Sequence, residues 1–178
     1  MNSNPHRRAV AYHEAGHALL AWMHARPGSV RAVLMSPASG SCGFTWFDLT
    51  RAAPWQRYSA AIAGPMAMAI YAAENGFSIT TEPAEIALGD TGALMRQTLE
   101  DAGAAGLNDD REPVYTPESL AAIEAGRPRS IEAQTLRLLR QHWPAVEAVA
   151  AVLDARGRID ARTLTHIMRR HGVERARA

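Results

Sequence analysis

"AYHEAGHALL", Ala11–Leu20, decides how this chain is read, because it holds two histidines four residues apart with a glutamate directly after the first. His13-Glu14-Ala15-Gly16-His17 fits the pattern H-E-x-x-H. On an α-helix, residues four apart stand one above the other on one face, about 5–6 Å apart at Cβ. Two imidazoles so placed can each reach one Zn²⁺ at about 2.0–2.1 Å. Glu14, next to that face, can then take a proton from a water activated by the ion. Ala15 and Gly16 are small and let other backbone approach.

A catalytic zinc usually has three protein ligands. Position 23 is methionine, so the pattern does not run on to a third histidine. The remaining ligand has to come from farther along, and Glu74, Glu82, Glu85, Asp90, Glu100 and Asp101 are the candidates; spacing does not choose among them. The competing reading is a helix with ordinary histidines on its face. His6 and His24 lie near the same stripe and serve as controls: His24 is about 10 Å along the axis from His17 and out of reach of the same ion. Both read as surface histidines.

Outward from this stretch, Pro5 to Arg26 reads as one helix, with proline in its first turn and Pro27-Gly28 ending it. "SVRAVLM" and "CGFTWF" flank the turn-rich "SPASGS" and predict a β-hairpin. Pro54 to Glu74 is again helical, kinked or split at Pro65 and closed by Asn75-Gly76. Phe77 to Gly89 reads as a loop, and Asp90 opens another helical stretch. Thr116-Pro117 caps a short helix ending at Gly126. A long helix follows from Pro128 to Ala155 with Pro144 as a break, and Asp160 caps the last one. The predicted class is mainly α with a small β component. The 178 residues form one domain, 1–107 carrying the metal site and 108–178 a helical C-terminal bundle.

Composition excludes several classes. With 47% apolar and 21% charged residues the mix is ordinary for a globular chain. A formal charge of +1 favours neither nucleic acid nor membrane, and the basic C-terminal "RRHGVERARA" reads as a solvated end, so nucleic acid is not expected as a partner. A single cysteine, Cys42, allows no internal disulfide and fits a reducing compartment; it reads as a small strand residue rather than a nucleophile. No signal peptide is apparent, and the uncharged run Tyr58–Ala73 is too short to span a bilayer. The expectation is a cytoplasmic protein without a transmembrane segment. Trp22, Trp46, Trp55 and Trp143 read as packing residues.

"AVAYHEAGHALLAW" resembles the zinc helix of the FtsH family, the AAA-type ATP-dependent metalloproteases. "VRAVLMSPASGSCGFTWF" is similar to that family's strand-loop-strand, "AIAGPMAMAIYAAENG" to its "L-G-G-R-A-A-E" region, and "LLRQHWPAVEAVAAVLDARGRIDARTLTHIM" to its helical C-terminal segment. The resemblance implies a zincin-like peptidase domain with His13, His17 and Asp90 as zinc ligands and Glu14 as general base. Asp90 stands at the family's distance after the second histidine and precedes "TGALMRQTLE". The implied activity is zinc-dependent hydrolysis of flexible or unfolded polypeptides. An ATPase in trans and a homo-oligomer are the partners the resemblance implies.

In zincins an edge strand can pair with an extended peptide, which makes Gly43, Phe44 and Thr45 the substrate-binding candidates. The chain also departs from the family. It has no G-x-x-x-x-G-K-[ST] motif, Met68 stands where the family has a glutamate, and an alignment on Thr91-Gly92-Ala93 puts Arg96 in the third-ligand slot. These departures define the alternative: a catalytically inactive domain acting as a binding or assembly module.

Overall fold

Helix α1, Pro5–His24, is buried nearly all round: Ala11, Ala15, Ala18, Leu19, Leu20 and Ala21 are fully inaccessible. A helix whose apolar residues are covered on most of its sides belongs inside a protein, and its alanines combine high helix propensity with little bulk. The computed structural model describes residues 5–24, 32–35, 43–46, 49, 52–76 and 115–175. The described part is mainly helical.

Helix α2, Pro54–Glu74, covers one side of α1. Pro54 needs no helical donor at the first position, and Gln56 Oε1 accepts from Ala53 N–H at 2.8 Å. Tyr12 stacks on Tyr71 at 4.1 Å, Gly16 faces Ala63 and Ala67, and His24 meets Trp55 at 5.2 Å. Partner numbers fall as α1 numbers rise, so the two helices run antiparallel. Pro65 was expected to kink or split α2; the helix runs through it as one element. Gly76 closes it at φ +68°, a conformation that favours glycine.

Strand β1, Ala32–Met35, pairs antiparallel with β2, Gly43–Trp46, from Ala32↔Trp46 to Met35↔Gly43, as the hairpin reading predicts. A third strand, absent from that reading, completes the sheet. β3, Arg158–Asp160, pairs antiparallel with β1 on its other edge and gives the order β2-β1-β3. Three residues between a helix and an N-cap are too few to show a strand period, so only the pairing with β1 reveals it.

Helix α3, Pro117–Ala125, begins as predicted, with Thr116 Oγ1 accepting from Ser119 N–H at 3.2 Å. The helical stretch expected from Pro128 to Ala155, with Pro144 as its break, is indeed two helices: α4, Ile131–Gln141, and α5, Trp143–Arg156. Pro144, second in α5, has no N–H for the carbonyl four residues back, and the chain turns at His142. Ser130 caps α4, its Oγ accepting from Ala133 N–H at 3.1 Å. Gly157, in the left-handed region at φ +69°, ends α5, and Asp160 caps α6, Ala161–Arg170, by accepting from Thr163 N–H at 2.7 Å.

Helix α5 lies along the other side of α1. Arg7 donates to the Asp154 main-chain carbonyl at 3.0 Å and pairs with its carboxylate at 3.3 Å, while Trp143 stacks on Tyr12 at 5.5 Å. Leu19, Leu20, Ile62, Met66, Leu136, Leu139, Leu153, Leu164 and Met168 join in one apolar core.

Candidate functional site

His13, Glu14 and His17 stand on the buried middle of α1, with relative exposures of 9%, 3% and 9%. The two imidazoles meet edge to face, centroids 4.7 Å apart, with Nε2 of one 3.0 Å from Nε2 of the other. Nδ1 of His17 lies 2.8 Å from the main-chain oxygen of Ala60 on α2. A carbonyl only accepts, so Nδ1 of His17 is the donor; in the neutral ring the lone pair then sits on Nε2, which faces Nε2 of His13. Such a carbonyl is the outer partner that orients a metal-binding imidazole.

Glycine lets the two helices approach this closely. A Cβ on Gly16 would lie 2.8 Å from Ala67 Cβ and closer still to the Ala63 carbonyl; one on Gly64 would lie 2.7 Å from His17 Cδ2 and inside the contact distance of Nε2. The His17 ring is thus held between its Ala60 hydrogen bond and the bare Cα of Gly64. Met68 is half-buried one turn beyond.

Glu14 points to the sheet. Thr45 on β2 donates from Oγ1 to Glu14 Oε2 at 2.6 Å, and the same hydroxyl lies 3.2 Å from the Glu14 main-chain oxygen. Thr45 is itself buried. Strand β2 is paired on one side by β1 and has no strand on its other side among the described residues.

The structure brings His13, Glu14, His17 and Thr45 together. Gly43 and Phe44 precede Thr45 on the same strand. Glu74, one of the third-ligand candidates, is exposed at the end of α2, and among the described residues no third His, Cys, Asp or Glu joins the pair in a metal-holding group. Asp90, Glu82, Glu85, Glu100, Asp101 and Arg96 lie outside the described residues, as do Cys42 and the side chain of His6.

Three surface expectations need correction. His24 is not a surface histidine: its ring nitrogens are buried with no hydrogen-bond partner among the described residues, and burial pushes its pKa down to about 4. Trp55, expected in the packing, is 45% exposed, although its ring meets that of His24 edge to face at 5.2 Å. The C-terminal basic stretch is not wholly solvated, because Val173 is buried and Arg175 lies over the Trp22 ring at 3.8 Å. Sequence reasoning missed the Ala60 carbonyl, which no side-chain pattern encodes. Gly64-Pro65 was the available signal for the close approach beside His17.

No helix among the described residues is long and apolar enough to cross a membrane. Compared with known proteins, the chain matches no protein-family model and no curated protein.

Proposed function

We propose that this chain is a zinc-dependent endopeptidase that hydrolyses flexible or unfolded polypeptides. The carrying observation is the paired Nε2 atoms of His13 and His17, 3.0 Å apart with the His17 tautomer set by Ala60. That separation is less than twice a zinc–imidazole bond of about 2.0–2.1 Å, so one ion fits both nitrogens. His13 and His17 would hold it, with Asp90 as the third ligand by resemblance to the FtsH peptidase domain. Bound zinc supplies a Lewis acid for the scissile carbonyl and lowers the pKa of water towards about 7.

The chain's own residues move the protons. Glu14 takes a proton from water as its oxygen attacks the carbonyl carbon; when the C–N bond breaks, Glu14 returns that proton to the departing amine. Burial of Glu14 among α1 and β2 keeps bulk water from competing for it. Strand β2, open on its outer side among the described residues, supports peptide docking along Gly43–Thr45. Unfolding of compact substrates falls to an ATPase acting in trans, and ring-like self-association follows from the same resemblance.

Metal analysis beside casein cleavage tests this reading, with wild type compared with Glu14→Gln and Asp90→Ala. Stoichiometric zinc, cleavage by wild type and its loss in Glu14→Gln are expected, with zinc lost in Asp90→Ala. The second reading, an inactive binding or assembly module, draws on Met68 in place of the family's acid. Bound zinc without cleavage would favour it.

A further inference from the structure

Glu14 is 3% exposed, and a buried carboxylate needs donors to offset its lost hydration. Thr45 provides one at 2.6 Å, within the range of a charge-assisted O–H···O⁻ bond. We propose that Thr45 is a positioning residue for Glu14: its hydroxyl holds Oε2, sets the direction of the carboxylate and leaves Oε1 to take the proton. The inference rests on the peptidase reading of Glu14.

Several features make the hydroxyl a firm anchor. Thr45 is paired with Val33 in the β1–β2 ladder, so its backbone cannot drift along the strand. A β-branched side chain on a strand has a restricted χ1. The same oxygen lies 3.2 Å from the Glu14 main-chain carbonyl, so it is registered against the residue as well as its carboxylate. A glutamate on a helix otherwise has three torsions with which to leave its place. A general base works only within hydrogen-bond reach of its proton, and a displacement of about 1 Å can cost about 10²-fold in rate. The strand proposed to receive the peptide therefore also aims the base.

The test compares zinc-loaded wild type with Thr45→Val, Thr45→Ala and Thr45→Ser on a fluorogenic casein. Thr45→Val and Thr45→Ala should lower kcat by about 10- to 100-fold with KM and zinc content unchanged, and Thr45→Ser should recover most of the loss. Should Thr45→Val fail to fold, the alanine and serine variants decide. A second readout needs no activity: in a urea double-mutant cycle on metal-free protein, Thr45→Val and Glu14→Ala together should cost less than their separate losses combined. Unchanged kcat in both hydroxyl-free variants, a rise in KM alone, failure of serine to rescue, or an additive cycle would each overturn the proposal. A wild type that binds zinc but cleaves nothing overturns the peptidase reading and the positioning role with it. A coupled cycle in that case would mark the hydrogen bond as structural, which separates the two failures.

Discussion

His24 shows how far a single residue's role depends on what covers it. It carries the same imidazole as His13 and His17, yet both its nitrogens are buried beside Trp55 with no hydrogen-bond partner among the described residues. Its folded pKa, about 4, lies below the usual histidine value because burial disfavours the cation. The unfolded chain therefore binds the extra proton first. Stability from this residue is present above about pH 6.5, falls as pH drops from there towards 4, and changes no further below that. The span is roughly 3 kcal/mol. Between pH 7 and pH 4 the urea midpoint of wild type should fall relative to that of His24→Leu, because only wild type carries this loss. A constant gap between the two curves would rule the account out.

At the scale of elements, the approach of α1 to α2 determines what the histidines can do. Gly16 fits beneath Ala63 and Ala67, and Gly64 lies against His17, so neither helix can move without disturbing the imidazole. Gly64→Ala would gain about 1 kcal/mol in intrinsic helix propensity and lose more through overpacking, which costs about 1–3 kcal/mol. The methyl group must displace His17 from the Ala60 carbonyl. If the proposed zinc site is correct, the expected outcome is about a tenfold weaker zinc affinity in a competition titration with a chromophoric chelator, together with a lower thermal midpoint. Gly64→Ala with wild-type zinc affinity would show that the ring is held by something other than this contact. Pro65, directly after Gly64, does not divide α2, since helices packed on a buried neighbour can absorb one missing hydrogen bond. Pro144 does divide the next long stretch, where the chain between α4 and α5 turns at His142.

For the molecule as a whole, α1 is the centre, with α2 on one side, α5 on another and the sheet beside Glu14. β3 ties the C-terminal helices to the hairpin that carries Thr45: Ile159 is 2% exposed and pairs with Val33, which in turn pairs with Thr45. Ile159→Ala should cost about 2–4 kcal/mol in a single urea transition and also loosen Glu14, visible as reduced coupling in the Thr45–Glu14 cycle. Separate transitions for the two halves would contradict this. Local rules made much of the molecule legible in the sequence. The H-E-x-x-H spacing, the caps at Thr116 and Asp160, the hairpin and the closing glycines each depend on residues a few positions apart. Hydrogen bonds and sterics of that range act before the chain is folded. The Ala60 carbonyl on His17, the Thr45 hydroxyl on Glu14, the burial of His24 and the third strand involve residues far apart in the chain. Only packing of α2, β2 and β3 around α1 decided them, because a main-chain oxygen or a hydroxyl gains its partner from position, which no local pattern records.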